Sequence, residues 1–133
     1  MSAPLGVVLA VDVGTVRVGV AASDPHRVLA TPVETVVAPG HARVRALYAE
    51  REAVLVVIGL PTSLSGRAES ASAQMARDWA AALDLPHVLV DERLTTVTAT
   101  AALRASGRKG ARARQVIDQA AAVALLQGWL DSR

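Results

Sequence analysis

The feature that most constrains the fold is an uninterrupted apolar run, AVLVVIGLP, which extends from Ala53 to Pro61 of this 133-residue chain. A half-buried strand alternates apolar and polar residues, whereas a continuous apolar run is typical of a strand buried on both faces. A sheet with helices packed against both of its sides provides such a position. The run therefore predicts an α/β fold.

Three strand-like segments precede this run and are separated by short turns: Leu5–Val13, Val16–Ala22 and Val28–Val37. Because strands joined by short connections pair in antiparallel fashion, we expect a three-stranded meander. Pro32 cannot donate a backbone hydrogen bond. It therefore predicts that the third strand lies at an edge of the sheet or contains a bulge.

Helical and strand-like segments alternate over the rest of the chain. The expected elements, apart from the apolar run, are a helix over 41–52, a helix carrying Met75 and Trp79 that ends before Pro86, a strand over 87–92, a helix from Thr95 or Thr96 to about Ala105, and a helix from about Arg114 to Leu130. This order contains two strand–helix crossovers. It predicts one domain, residues 1–133, built on a mixed five-stranded sheet with helices on both faces.

The composition excludes several classes of protein. The chain has no cysteine, which excludes disulfides and thiolate metal sites, and it has no Phe and one Tyr, so aromatic platforms for stacking bases are scarce. No apolar run reaches the roughly 20 residues that a membrane span needs. The N-terminal segment also lacks the basic region of a signal peptide. We therefore expect a cytoplasmic protein without membrane contact.

One carboxylate stands inside a strand-like apolar segment, VLAVDVGTVRVGVAAS, in which Asp12 is the fifth residue. A buried, unpaired carboxylate is costly, so such a group is normally paired, neutralised or bound to a metal ion. Asp12 therefore requires a partner elsewhere in the chain, unless it is a strand-end residue that caps a turn.

Further carboxylates end the last predicted strand, at Asp91 and Glu92, and stand in the first turns of the final helix, at Asp118. Ligands of open α/β sheets collect beyond the carboxyl ends of the strands, so these groups could meet Asp12 at one edge. Neighbouring residues of a strand point to opposite faces, so we expect only one of Asp91 and Glu92 to face the site. Structural alternatives are an ion pair between Glu92 and Arg93 and a favourable interaction of Asp118 with the helix dipole.

Such a cluster suits phosphodiester hydrolysis assisted by divalent metal ions. Mg²⁺ takes carboxylate oxygens together with waters and substrate phosphates. Two ions about 4 Å apart can stabilise both the attacking and the leaving oxygen. Bound metal would also explain a carboxylate embedded in an apolar strand.

Positive side chains precede the final helix, although the net charge of the chain is only +2. They are Arg104, Arg108, Lys109, Arg112 and Arg114. A cationic segment beside an acidic metal cluster suits a nucleic-acid backbone, and an ordinary solvated loop is the alternative. Arg17, five residues after Asp12, could contact a phosphate or hold a carboxylate.

Four sequence blocks carry a resemblance to a known family. They are DVGTVRVGVA, VIGLP followed by Gly66, DERLTT, and DQAAAVALLQGWL. In their order and spacing they resemble the YqgF family, also called RuvX, whose members are pre-16S rRNA nucleases and Holliday junction resolvase-like proteins. The match runs from Asp12 to about Leu130. The segment PTSLSG departs from the family's common P-L-N-x-D-G pattern.

The resemblance implies a ribonuclease H-like fold and a metal-dependent nuclease. It implies that Asp12, Glu92 and Asp118 are the catalytic metal ligands, with Asp12 bridging two Mg²⁺ or Mn²⁺ ions, and that Asp91 has a structural or supporting role. The nucleic-acid backbone would be positioned by basic residues: Arg17, Arg93, Arg108, Lys109, Arg112 and Arg114.

The substrate that the resemblance favours is structured RNA, cut at the 5′ end of pre-16S rRNA during ribosome biogenesis, with the ribosome precursor as a partner. The alternative is branched DNA, with the protein acting as a Holliday junction resolvase on four-way junctions. Junction cleavage would favour a homodimer because two symmetric cuts are needed, whereas RNA cleavage is compatible with a monomer.

Two other classes compete with the nuclease. DVGT also occurs in nucleotide-binding domains of the actin, heat-shock chaperone and sugar-kinase type, but those proteins clasp ATP between two such domains, and this chain has the length of one. A non-catalytic nucleic-acid-binding module on a nuclease scaffold is the second. The presence of all three carboxylates argues against such a decayed site.

Overall fold

A computed structural model of the chain describes residues 4–61, 71–92 and 111–133, and for residues 111–116 it describes the backbone alone. The elements in chain order are β1 (Val7–Val13), β2 (Arg17–Ser23), β3 (Ala30–Val37), α1 (His41–Glu50), β4 (Ala53–Leu60), α2 (Ala71–Leu83), β5 (His87–Asp91) and α3 (Ala111–Asp131). These bounds confirm the expected strands and three of the expected helices. The helix expected from Thr95 or Thr96 to Ala105 falls outside the described residues.

The five strands form one mixed sheet in the order β3-β2-β1-β4-β5. The pairs β1–β2 and β2–β3 are antiparallel, and the pairs β1–β4 and β4–β5 are parallel. The expected meander and the two crossovers are therefore confirmed. β1 lies at the centre of the sheet, which places Asp12 between two neighbouring strands.

The expectation for Pro32 is confirmed in both respects, because β3 is an edge strand and contains an irregularity at this residue. Val20 of β2 pairs with Glu34, but the next residue, Ala21, pairs with Pro32, so Val33 is an extra residue on β3. An unpaired residue of this kind is a β-bulge. It accommodates a residue that cannot donate to the ladder.

Helices cover both faces of the sheet, as the apolar run Ala53–Pro61 predicted. On one face, Leu9 and Val11 of β1 pack in a cluster with residues of α1 and α2 that includes Trp79. On the other face, Val8 and Ala10 pack against α3. Since side chains alternate along a strand, Asp12 continues the series that faces α3.

The α2 helix carries Met75 and Trp79, as expected. Trp79 and Leu83 are buried, whereas Met75 is half-buried and Ala82 is exposed. The remaining buried positions are alanines: Ala73, Ala76 and Ala80. Among the described residues, no helix is long and apolar enough to cross a membrane.

Ser23 at the end of β2 is the buried polar residue that links the sheet to the following turn. Its hydroxyl accepts a hydrogen bond from the Val8 backbone N–H at 2.9 Å and donates one to the Asp24 carbonyl at 2.9 Å. Ser23→Ala leaves the buried Val8 N–H without this acceptor, and the expected loss is about 1–2 kcal/mol of unfolding free energy. Urea unfolding measures it, with Ser132→Ala near the C-terminus as the control. Equal stability of Ser23→Ala and wild type would contradict the assignment.

Candidate active site

Asp12 lies near the carboxyl end of β1, between two strands that each carry a glycine on the α3 side of the sheet. Gly19 of β2 is its direct antiparallel partner. On β4, Gly59 follows the residue that pairs with Val11 of β1. Neither glycine has a positive φ angle, so the absence of a side chain, and not an unusual backbone conformation, is the feature to explain.

Gly19 allows the backbone of α3 to approach the sheet. A Cβ atom at this position would lie 2.2 Å from the Asp118 carbonyl oxygen and 2.5 Å from the Asp118 carbonyl carbon. Any residue other than glycine would therefore push α3 away from β2. The close approach brings Asp118 to the same side of the sheet as Asp12.

Gly59 makes room for the side chain of Glu92. A Cβ atom at position 59 would lie 2.9 Å from Glu92 Oε1 and 3.2 Å from Glu92 Cγ. Glu92 directly follows β5, which is two strands away from β1. Its side chain therefore lies over β4, in the direction of Asp12.

The partner of Asp12 is another carboxyl group. Asp12 and Glu92 form a side-chain hydrogen bond, and the pKa of Asp12 is raised from 3.8 to about 7. Burial is the largest cause of this rise, followed by the charge of Glu92, the hydrogen bond to Glu92 and the charge of Asp118. A hydrogen bond between two carboxyl groups requires a proton between them. If the pair is to be fully ionised, a bound cation has to replace that proton.

Arg17 holds the third carboxylate. Its Nε donates a hydrogen bond to Asp118 Oδ2 at 2.8 Å, and both side chains are 26% exposed. Of the two roles considered for Arg17, the structure therefore shows the contact with a carboxylate. The dipole explanation for Asp118 is wrong, because Asp118 is the eighth residue of α3 and the dipole effect is confined to the first turn.

The strand alternation separates Asp91 from Glu92, as expected. Val90 belongs to the cluster under α3, whereas Leu89 packs on the opposite face. Asp91, the last residue of β5, shares the face of Leu89 and pairs with Leu60. Glu92 is the member of the pair that reaches the site.

The structure describes only some of the basic residues that are predicted to bind nucleic acid. Arg93, Arg108 and Lys109 lie outside the described residues, and Arg112 and Arg114 lie in the first turns of α3, where only the backbone is described. Their roles stay predictions.

Two glycines beside the carboxylates, Gly19 and Gly59, received no predicted role, although they stand in the blocks DVGTVRVGVA and VIGLP. The available signal was the presence of glycine inside a strand, which often marks the close approach of another part of the chain.

The donor set of this site consists of carboxylate oxygens, which is the chemistry that Mg²⁺ and Mn²⁺ favour. The residues that the structure describes contain no group of three or more acidic or histidine side chains already arranged around a metal position. Asp12 and Glu92 form a close pair, and Asp118 is tied to Arg17 beside it. The residue types fit a divalent cation at the pair, and the ligand roles of all three stay predictions.

A five-stranded mixed sheet in this order, with Asp12 near the end of its central strand, has the architecture of the ribonuclease H-like α/β class. The structure of Thermus thermophilus RuvC in complex with a Holliday junction substrate supports this class. It superposes with a TM-score of 0.57 over 96% of each chain at 15% sequence identity, a likeness that establishes the fold.

The chain belongs to the RuvX family, described as Holliday junction resolvase, whose sequence model matches residues 6–132. A protein of Nocardia farcinica is 50% identical over 94% of this chain and 77% of its own length. A protein of Streptomyces coelicolor is 53% identical over 93% of this chain and 79% of its own length. Both carry the name "Putative pre-16S rRNA nuclease". The resemblance found in the sequence is thus confirmed, and the activity that the family supports is hydrolysis of phosphodiester bonds.

Proposed function

We propose that this chain is a single-domain, metal-dependent nuclease of the cytoplasm that processes the 5′ end of pre-16S rRNA. The observation that carries the proposal is the half-buried Asp12–Glu92 carboxyl pair, which lies next to Asp118 at the carboxyl end of β1. Two ionised carboxylates at this distance repel each other, so the ionised pair does not stabilise the fold. Its presence in a nuclease family is explained if the pair holds a cation, which would in turn hold a phosphate of the substrate.

In this proposal Asp12 and Glu92 hold one or two Mg²⁺ or Mn²⁺ ions, and Asp118 completes the ligand set. The bound metal supplies positive charge for the attacking and leaving oxygens of the phosphodiester. Asp12, whose pKa is raised to about 7, would lose its proton on binding the cation. Arg17 fixes one oxygen of Asp118, so that the other oxygen is directed by the position of α3.

The basic residues account for binding of the nucleic-acid backbone in this proposal. Arg114 precedes Asp118 by four residues, which is about one turn of α3, and Arg112 stands a further two residues away. Arg108 and Lys109 precede α3, and Arg93 follows Glu92 in the sequence. Each group of positive residues is thus close in sequence to a carboxylate of the site. This arrangement suits contacts to phosphates that flank the cleaved bond.

The preferred substrate is RNA in a ribosome precursor, because the relatives with about half of their residues identical carry pre-16S rRNA nuclease names. A four-way DNA junction is the second candidate, favoured by the family description. The two differ in assembly, since paired cuts across a junction call for a two-fold homodimer, and RNA cleavage is compatible with a monomer.

The deciding experiment is cleavage of a paired panel of substrates by the purified chain. The panel contains a precursor 16S rRNA 5′ segment and a mobile four-way DNA junction, each with Mg²⁺, Mn²⁺ or EDTA. The proposal expects metal-dependent cleavage of the RNA that is absent in Asp12→Asn. Asp84→Asn is the matched control, because Asp84 is exposed and asparagine tolerates its φ of 55°.

Each outcome of this panel has a definite meaning. Preferential cleavage of the junction would replace the RNA substrate by DNA, and cleavage that persists in EDTA would overturn the metal dependence. Equal cleavage by wild type and Asp12→Asn would remove Asp12 from the catalytic machinery. Binding of both substrates without any cleavage would favour the non-catalytic module.

Arg17→Lys is expected to lower cleavage about tenfold while changing stability little. Lysine keeps the positive charge but loses the fixed guanidinium geometry that positions Asp118. The ion pair is partly exposed, so its contribution to folding is below about 1 kcal/mol. Arg43→Lys is the control, because Arg43 forms a comparable pair with Glu34 on the α1 side of the sheet. Unchanged cleavage in Arg17→Lys would show that the pair does not direct Asp118.

A further inference from the structure

Glu92 has to cross a neighbouring strand to reach the centre of the site. It follows β5, and β1 is two strands away, a separation of about 10 Å. The strand between them is β4, and its side chains on the α3 side would stand in the path. Val57, two residues before Gly59 on the same face, is fully buried in the cluster under α3. At position 59 the side chain is missing, and the Glu92 side chain occupies that space.

From this geometry we infer that Gly59 is a positioning residue: the gap that it leaves in β4 is the slot through which Glu92 reaches Asp12. The inference rests on the proposed function, because it gives Glu92 its place in the metal-binding pair. A Cβ atom at position 59 would meet Glu92 Oε1 at 2.9 Å, Glu92 Cγ at 3.2 Å and Leu125 Cδ2 at 3.2 Å. Two of these three contacts are with Glu92.

The structural alternative is that Gly59 simply gives α3 room to pack, as Gly19 does. The identity of the contacting atoms separates the two roles. At Gly19 the added Cβ would collide with the backbone of α3, which cannot move alone. At Gly59 the closest atom is the end of a flexible side chain, so the carboxylate yields first and is displaced from Asp12. Gly59→Ala is therefore expected to damage the site more than the fold.

The first measurement is the affinity for Mn²⁺ alone, by calorimetric titration of the intact chain without nucleic acid. Gly59→Ala is expected to weaken Mn²⁺ binding about tenfold, the size of effect typical for residues that orient metal ligands. Gly128→Ala, a glycine substitution within α3 and ten residues beyond Asp118, is expected to leave Mn²⁺ affinity unchanged. Wild-type affinity in Gly59→Ala would overturn the inference.

The second measurement needs no metal and tests the contact directly. In EDTA, Gly59→Ala is expected to lower the melting temperature by about 5 °C in the wild-type background. In a Glu92→Ala background the same substitution should cost less than half of that, because the added methyl group then enters space that Glu92 has left. An equal loss in both backgrounds would show that packing against Leu125, and not Glu92, explains the glycine.

Asp12→Asn, titrated with Mn²⁺ in the same series, separates this inference from the proposed function. If Asp12→Asn binds Mn²⁺ as wild type does, the metal site itself is wrong, and the metal-free measurement alone decides whether Gly59 positions Glu92. If Asp12→Asn loses binding and Gly59→Ala keeps it, the metal site stands and the role of Gly59 is refuted.

Discussion

Asp12→Asn is expected to reduce cleavage on the order of a thousandfold and, in the same protein, to raise thermal stability at pH 8 in the absence of metal. The loss of activity follows from removing a carboxylate proposed to hold the metal. The gain in stability follows from the burial of that carboxylate beside Glu92, which raises the pKa of Asp12 to about 7. Asparagine resembles the protonated acid, since its amide can donate a hydrogen bond to Glu92 and carries no charge.

The sign of the pH effect follows from the raised pKa. The folded state holds the Asp12 proton more tightly than the unfolded chain, whose pKa is near 3.8. The stabilisation is therefore fully present below about pH 4 and is lost as the pH rises through 7. A rise of this size corresponds to about 4 kcal/mol between the two protonation states, and that figure is an upper bound for the gain in Asp12→Asn at pH 8.

Thermal unfolding in EDTA at pH 5 and pH 8 measures this effect. The melting temperature of the wild type should fall more between the two pH values than that of Asp12→Asn. Asp84→Asn removes an exposed carboxylate, and its melting temperature should change with pH as that of the wild type does. Because groups distant from Asp12 are the same in all three proteins, the difference between them reports Asp12 together with its carboxyl partner Glu92. A lower melting temperature of Asp12→Asn at pH 8 would mean that the ionised carboxylate stabilises the fold.

Once a divalent ion is added, the wild type is expected to become more stable than Asp12→Asn. A ligand that binds only the folded state raises its stability in proportion to the logarithm of its concentration. Mn²⁺ at pH 8 should therefore raise the melting temperature of the wild type and leave Asp12→Asn unchanged. The order of the two melting temperatures should reverse at a sufficient Mn²⁺ concentration.

Local sequence patterns were sufficient to predict the strands and the two-sided burial of β4. The run Ala53–Pro61 predicted helices on both faces, and Pro32 predicted an edge strand with a bulge; both features are present. These patterns depend on side chains that are close in sequence. The order of the strands could not be predicted in this way. It follows from the crossovers that join distant segments, and no local pattern encodes it.

The candidate site was predictable as a set of residue types and unpredictable as a set of contacts. Alternation along β5 correctly separated Asp91 from Glu92. Whether Glu92 could reach Asp12 depended on the presence of β4 between them and on Gly59, and this required the strand order. The two roles of Arg17 were likewise indistinguishable until the position of α3 relative to β2 was known.

The second large effect is expected for Gly19→Ala. The added Cβ would lie 2.2 Å from the carbonyl oxygen of Asp118 and 2.5 Å from its carbonyl carbon, so α3 must move as a unit. The apolar side chains of α3 form one core of the protein with β1 and β4, including Leu125, Leu126 and Trp129. Overpacking of a core typically costs 1–3 kcal/mol, and contacts with backbone place this substitution at about 3 kcal/mol or more.

Urea unfolding of Gly19→Ala and Gly59→Ala, measured side by side in EDTA, tests this expectation. Gly19→Ala should lose more stability than Gly59→Ala. The loss should persist when Glu92 is replaced by alanine, because the methyl group added at position 19 meets the backbone of α3. The cost of Gly59→Ala should depend on Glu92. A small loss for Gly19→Ala would show that α3 can withdraw from β2 without disrupting its core, and the position of Asp118 would then be adjustable. A large loss shows that the glycine opposite Asp12 couples the folding of α3 to the assembly of the carboxylates.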